Sequence, residues 1–226
     1  SKLINNGEVK TGNSNSSITV MDGGTFENNG LISAPNASQN CLVTINSNGK
    51  IISSSQGSLT GNCSFTANYG STIATSNPQG MDGFLNCTGT ISYNSPYLIF
   101  NGLEPQITGM KLPEQVLGID FNNPAGISLS KNIKLVYNAL VHSGTTLSFG
   151  MSVIEEAWWG SGTFSMEDSS SIATANPDGF SSTGKTGSVQ VGSRNYNSNG
   201  NYIFNGTVHQ QTGNFNPTPT SYTVND

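Results

Sequence analysis

The side chains of this chain that can act as acids or bases are few. Its adjacent acidic residues are Glu155 with Glu156 and Glu167 with Asp168. A polysaccharide hydrolase cleaves its substrate with two carboxylates that flank the glycosidic bond. Consecutive residues on a β-strand, however, point to opposite faces. Neither pair can then place both carboxylates on the same bond. We interpret them as solvated surface charges and predict no catalytic residue.

The two histidines, His142 and His209, give no stronger signal. His209 aligns with Pro105 in an internal repeat described below, which argues against a repeated general base or ligand. We expect both histidines to lie in loops, either exposed to solvent or with hydrogen-bond partners for their ring nitrogens. The chain contains no nucleophile elbow, phosphate-binding loop, dinucleotide fingerprint or H-E-x-x-H sequence. It is therefore predicted not to be an enzyme and to need no cofactor.

Cys41, Cys63 and Cys87 are separated by 22 and 24 residues. This spacing favours a structural ladder of small buried thiols, one above another in successive turns of the chain. One disulfide with a free thiol is the alternative. A metal site is not predicted, because no His or acidic neighbours accompany the thiols. We interpret Asp82-Gly83 and the segment 176–179 as turns rather than calcium loops.

Trp158 and Trp159 are the two tryptophans and adjoin each other. If they lie on a strand, one indole faces inward and the other outward. An outward indole can stack on a sugar ring, which would make this a carbohydrate-binding site. The interpretation that we favour is that both rings cover the seam between two modules of the chain.

A short repeat indicates the elements that position these residues. Asn-led segments of alternating polar and apolar residues begin at residues 15, 40, 62 and 86, with Asn-Gly turns between them. A period of about 20 to 25 residues with this alternation is typical of a β-solenoid. We predict an all-β fold, a right-handed parallel β-helix or closely related solenoid. At roughly 22 residues per coil, about ten coils would form a rod on the order of 50 Å long.

The composition agrees with a solenoid and excludes several partners. Hydrophobic residues make up 34% of the chain, enough for a narrow inward row in each coil, while Asn and Thr can form ladders between coils. Charged residues make up 9%, against roughly 25% in soluble domains. With 8 Lys and Arg and a net charge of -5, a nucleic-acid partner is not expected. No apolar run is long enough to insert into a membrane.

A longer repeat overlies the short one. Several residues recur 99 positions later: Gly61, Phe65, Ile73, Ala74, Thr75, Asn77, Pro78 and Gly80 match Gly160, Phe164, Ile172, Ala173, Thr174, Asn176, Pro177 and Gly179. A second block recurs 104 positions later: Ile99, Phe100, Asn101, Gly102 and Gln106 match Ile203, Phe204, Asn205, Gly206 and Gln210. We place the five inserted residues near 93–97 and 192–201. We predict one continuous solenoid over 1–226, with long repeats at 61–159 and 160–226, the second incomplete.

The repeated strand that contains Phe-Asn-Gly, followed by Gln and Thr-Gly, resembles a module of very large secreted surface proteins of Bacteroidota. The resemblance covers roughly residues 60–226. It implies export by the type IX route, a location on the cell surface, and a structural role in adhesion or surface coating. The implied partners are neighbouring modules of a longer chain or other surface proteins, with polysaccharide as a further candidate. Residues 224–226 align with 121–123 inside the first repeat, so we expect the sequence to be an excerpt of a longer array.

Two other functions stay open beside the structural one. The first is a carbohydrate-binding module that uses Trp158 or Trp159. The second is a polysaccharide lyase or hydrolase, since parallel β-helices host such enzymes. It would require Glu155, Glu167 or Asp168 to converge with a Lys or Arg.

Overall fold

A computed structural model describes residues 1–10, 15–36, 40–181, 183–212 and 221–224. The strands of the first part are β1 (Lys2–Asn5), β2 (Glu8–Lys10), β3 (Ser16–Val20), β4 (Thr25–Asn28), β5 (Leu31–Ala34), β6 (Cys41–Ile45), β7 (Lys50–Ser53), β8 (Ser58–Gly61), β9 (Cys63–Ala67) and β10 (Thr72–Thr75). After helix α1 (Gly80–Phe84) follow β11 (Ile91–Tyr93), β12 (Tyr97–Phe100), β13 (Gln106–Ile107), β14 (Gln115–Phe121), β15 (Ile127–Ser128), β16 (Ile133–Val141) and β17 (Thr146–Ser148). The last strands are β18 (Ile154–Glu156), β19 (Thr163–Met166), β20 (Ser171–Thr174), β21 (Val189–Gln190), β22 (Ser193–Asn195), β23 (Asn201–Phe204) and β24 (Ser221–Val224).

These strands form a parallel β-solenoid, as the sequence predicts. In the described residues, four sheets of 11, 4, 6 and 3 strands run along it. In the 11-stranded sheet, which we call the long sheet, one column of paired residues passes through β1, β4, β7, β10, β12, β14, β16, β19 and β22. Successive residues of the column are 20 to 25 positions apart for seven steps and 30 apart for the last. Over the described residues the column thus has nine strands and eight steps, fewer than the ten coils predicted.

The sides of the solenoid change along its length. Each of the first three coils gives one strand to the long sheet, one to the three-stranded sheet and one to the four-stranded sheet. In the fourth coil α1 replaces a strand, and Met81 N donates to Thr108 O of the next coil at 3.0 Å. Farther along, β16 spans two sides, because its first half pairs with β18 and its second half with β19.

Rows of inward side chains form the core. Within the long sheet the paired residues Phe26, Ile51, Ile73, Leu98, Ile119, Ala139 and Phe164 are all buried. In a neighbouring row the side chains change from polar to aromatic, as in Thr75 and its partner Phe100, which stacks on Phe121 with ring centroids 6.4 Å apart. One apolar row per sheet explains how a chain of modest hydrophobicity buries a continuous core.

Asparagine side chains connect successive coils, as predicted. Asn62 Nδ2 donates to Asn40 Oδ1, and Asn40 Nδ2 donates to Asn15 Oδ1 at 3.1 Å. Buried Asn5 donates to buried Asn28 at 2.8 Å. Further pairs join Asn29 to Asn6 and Asn68 to Asn46. Because each amide both donates and accepts, a column of Asn can continue from coil to coil.

The two copies of the long repeat lie on different sheets. Strand β10 belongs to the long sheet, whereas its copy β20 belongs to the six-stranded sheet. Four steps of the long-sheet column lead from Thr72 to Thr163, which is 163 − 72 = 91 residues. An offset of 99 therefore carries the chain eight residues farther, onto the next side of the solenoid.

Strand register limits where the inserted residues lie. Phe65 pairs with Ile91, and its repeat equivalent Phe164 pairs with Arg194. The first pair spans 26 residues and the second 30, so four of the five extra residues lie between Phe164 and Arg194. This interval overlaps the start of the predicted segment 192–201.

Candidate functional site

The acidic residues do not converge on one centre. Glu155 and Glu156 lie on β18, where Glu155 pairs with Lys134 and Glu156 with Leu135. Glu167 lies in a turn after β19, and the neighbouring Asp168 accepts a hydrogen bond from Asn197 Nδ2 at 2.7 Å. Glu167 and Asp168 are exposed and lie outside the open groove in which half-buried Glu155 meets Lys131 and Lys134, so only Glu155 meets the convergence with Lys that the enzyme alternative required.

A cluster of charged groups that sequence reasoning missed surrounds His142. Its Nδ1 lies 3.3 Å from Glu167 Oε1, and its Nε2 lies 3.8 Å from Asp120 Oδ2. Tyr97 OH donates to Asp120 Oδ1 at 2.7 Å, and Ser143 N donates to Glu167 Oε2 at 2.9 Å. His142 is therefore a half-buried link between two carboxylates. One signal was present: Asp120, His142 and Glu167 are 22 and 25 residues apart, which is the coil period.

This cluster fits a structural role better than a catalytic one. Both ring nitrogens of His142 face carboxylates of the protein, so neither is directed at a substrate. Its three members come from three successive coils and hold these together. Burial, aided by the hydrogen bond to Asp120, raises the pKa of Tyr97 to about 12. The phenol thus keeps its proton and remains a donor.

The repeated Phe-Asn-Gly and Gln residues build a corner of the solenoid. Phe100 is fully buried, and Gln106 is 2% exposed. Gln106 Nε2 donates to Thr75 O and Asn77 O, both at 2.9 Å, and its Oε1 accepts from Gly102 N at 3.3 Å. A Cβ at Gly102 would lie 3.2 Å from Gln106 Oε1. The glycine thus lets the glutamine tie its own coil to the preceding one.

The second copy makes the same bonds. Gln210 Nε2 donates to Thr174 O at 3.0 Å and to Asn176 O at 2.9 Å, and its Oε1 accepts from Gly206 N at 2.6 Å. Phe204 is buried like Phe100, whereas the motif residues Asn101 and Asn205 are exposed. These bonds explain the recurrence of the glutamines and glycines by structure, whereas they do not involve the side chains of Asn101 and Asn205.

The segment 176–179 is a turn, as predicted, and so is its copy at 77–80. The prediction of a turn at Asp82 and Gly83 was wrong, because both residues lie in helix α1. Asn77 Oδ1 accepts from Gln79 N at 2.9 Å, and Asn176 Oδ1 accepts from Asp178 N at 3.0 Å. Gly80 has a φ of +56°, and a Cβ there would lie 2.1 Å from a backbone oxygen of the next coil. Gly179 repeats this arrangement with a φ of +60°.

The carboxylate that we weighed as a calcium ligand binds backbone instead. Asp82 accepts from Met110 N at 2.8 Å and from Lys111 N at 2.7 Å. Over the described ranges, no three His, Cys, Asp or Glu side chains are arranged to hold a metal ion. In the same ranges no helix has the length and apolar character needed to cross a bilayer.

The cysteines are buried free thiols. Cys41 and Cys63 are paired residues of β6 and β9, so they stack as a ladder. Cys87 is displaced, because it bridges to Gly61 rather than to Cys63. The contact between the sulfurs of Cys41 and Cys63, together with burial, raises the pKa of Cys63, and burial raises that of Cys87. Cys63 and Cys87 are therefore poor nucleophiles, whereas the hydrogen bond with Cys63 lowers the pKa of Cys41.

The tryptophans lie in a turn between β18 and β19, not on a strand. Trp158 is 90% exposed and Trp159 is 45% exposed. The expectation that alternation would turn one indole inward was wrong, because alternation does not apply in a turn. Tyr137, 62% exposed, occupies the same corner one coil earlier.

An open groove begins beside this corner. Its volume is about 460 Å³, and it is lined by Glu114, Lys131, Asn132, Ile133, Lys134 and Glu155. The other predicted candidate, His209, is exposed and borders a separate open depression with Asp178. Comparison of the chain with protein-family models, with curated proteins and with solved structures gave no significant match.

Proposed function

We propose that this chain is a non-catalytic structural and adhesive module of a large extracellular cell-surface protein. The observation that carries the proposal is that the repeated glutamines, Gln106 and Gln210, use their side-chain amides in the same hydrogen bonds to the backbone of the preceding coil. Residues that recur for binding or catalysis would instead present free groups to solvent. A rigid stack of coils suits a stalk that holds adhesive surfaces away from the cell.

Localisation and adhesion test this function. Antibodies against the purified chain should label the surface of intact cells of the producing organism, and beads coated with the chain should adhere to polysaccharide-bearing surfaces. Beads coated with heat-denatured chain are the control. Labelling that requires permeabilised cells would contradict the surface location. Equal adhesion of native and denatured coatings would contradict an adhesive role for the folded solenoid.

A further inference from the structure

Three exposed aromatic side chains lie at one corner of the solenoid, in two successive coils. Tyr137 precedes the second half of β16, and the turn with Trp158 and Trp159 occupies the equivalent corner of the next coil. The register fixes this placement, because Leu135 pairs with Glu156 and Asn138 pairs with Thr163. We call Tyr137, Trp158 and Trp159 the aromatic corner.

The backbone beneath the aromatic corner is firmly attached. Ala157 N donates to Leu135 O at 3.0 Å, and Gly160 N donates to Ala157 O at 3.1 Å. A Cβ at Gly160 would lie 2.6 Å from Val136 O, so the turn presses against the previous coil. A short turn anchored at both ends loses little conformational entropy when a ligand binds to its indoles.

The groove extends this surface with polar groups. Lys134 and Tyr137 are both exposed on β16, three residues apart, which is about 10 Å along a strand. Lys131, Lys134, Glu114 and Glu155 line the groove and form no ion pair within 4.0 Å in the described part of the chain. Ammonium groups donate hydrogen bonds and carboxylates accept them, so together they can bind both lone pairs and protons of hydroxyl groups.

The charges select the kind of ligand. Two Lys and two Glu give the groove no net charge, while the chain carries a net charge of -5. An acidic polysaccharide would meet Glu114 and Glu155 and the overall negative field. A neutral polysaccharide would meet hydrogen-bond donors and acceptors, together with aromatic rings that pack against the apolar faces of sugars.

We propose that the aromatic corner and the adjoining groove bind a neutral polysaccharide. The rings of Trp158 and Trp159 pack on sugar faces, and Lys134 and Glu155 bind hydroxyl groups of the neighbouring sugars. This proposal rests on the adhesive function proposed above, since it identifies the surface that would provide the adhesion.

Intrinsic fluorescence tests the site directly, because both tryptophans of the chain belong to it. The purified chain is titrated with soluble neutral polysaccharides, namely a β-1,3-glucan, a β-1,4-glucan, a mannan and a xylan, and with an alginate as the acidic comparison. We expect the emission to shift on at least one neutral polymer and not on alginate. A shift with alginate alone, or with no polymer, would overturn the proposal.

Retention on gels that contain the responding polymer tests the residues. Replacing Trp158 and Trp159 together by Ala should weaken binding about tenfold or more, and Tyr137→Ala about threefold. The matched control is Tyr69→Ala, which removes an exposed aromatic ring from the turn before β10, four coils before the turn with Trp158 and Trp159. Far-UV circular dichroism and urea midpoints check that each variant is folded, since all four rings are exposed.

The results of these retention experiments distinguish a failure of the proposed binding site from a failure of the proposed adhesive function. If Tyr69→Ala weakens retention as much as the double Trp variant does, the aromatic corner is not the binding site. Retention that the double variant leaves unchanged overturns the site but leaves an adhesive role elsewhere on the solenoid. Loss of binding as salt is raised from about 50 to 500 mM would contradict a neutral ligand.

Discussion

Removal of the Gln106 side chain is the sharpest test of how the repeated motif works. The substitution Gln106→Ala deletes two hydrogen bonds of 2.9 Å, to Thr75 O and Asn77 O, and leaves Gly102 N without its acceptor. Both carbonyl oxygens keep another donor, from Asn101 N and Gly80 N. The substitution also removes the acceptor of a longer bond from Asn123 Nδ2, which still donates to Glu104 O at 2.8 Å.

The magnitude follows from these bonds. Each lost bond lowers the free energy of unfolding by about 1 kcal/mol, and the buried N–H of Gly102 adds about 1 kcal/mol more. We therefore expect a loss of about 3 kcal/mol for Gln106→Ala. Gln210→Ala should lose about half as much, because Gln210 is half-exposed and water can replace part of its bonding. Gln79→Ala is the control, since Gln79 is exposed, and it should change the stability by less than about 0.5 kcal/mol.

Urea unfolding followed by far-UV circular dichroism measures these differences, provided that the slopes of the transitions agree between variants. Because arrays of coils can unfold in stages, hydrogen exchange at Gly102 provides a local measurement. Its amide should exchange faster in Gln106→Ala and not in Gln79→Ala. If Gln106→Ala costs no more than Gln79→Ala, the corner bonds do not account for the repeated motif.

Three further predictions concern other parts of the solenoid. Because the raised pKa of Tyr97 favours the neutral phenol in the folded state, the stability that Tyr97 contributes relative to Tyr97→Phe should be full below about pH 10 and be lost as the pH rises through about 12, as urea unfolding at several pH values measures. The buried thiol of Cys63 should react with a disulfide reagent far more slowly in the native chain than in denaturant, as the absorbance of the released thiolate records. Gly179→Ala should lower the free energy of unfolding by more than 2 kcal/mol in urea titrations, since a Cβ there would lie 1.8 Å from Gln211 O and φ is positive.

Each of these predictions has a clear opposing result. A stability difference between the wild type and Tyr97→Phe that grows above pH 10 would contradict the raised pKa. Equally fast reaction of Cys63 in native and denatured chains would show that its coil opens readily. The control for Gly179→Ala is Gly7→Ala, where a Cβ meets no atom within 4 Å. Similar losses at the two glycines would refute the steric argument.

The stacking of the first coils could be predicted because residues that match in the short sequence repeat also pair in neighbouring strands. The aligned segments at 15, 40 and 62 do pair, with Ser16 opposite Cys41 and Cys41 opposite Cys63. The fourth segment fails by two residues, since Cys87 bridges to Gly61. Helix α1 lies in the preceding turn and alters the path of the chain, which the spacing of cysteines alone does not reveal.

The candidate sites were harder to predict for a different reason. The contacts of His142 with Asp120 and Glu167 join three coils, so no local motif contains them. Side-chain alternation was applied to Trp158 and Trp159, although a turn rather than a strand positions them. Residues within a strand obey the period-two rule, whereas corners depend on turn geometry and on the coil beneath.

The central claim is that this solenoid binds without catalysis. Its most direct test is to incubate the purified chain with the panel of polysaccharides and to measure both the chain retained and the new reducing or unsaturated sugar ends released. The proposed function predicts retention on a neutral polymer with no more new ends than the polymer alone yields. Release of new ends that grows with time and with the concentration of the chain would contradict it and identify an enzyme.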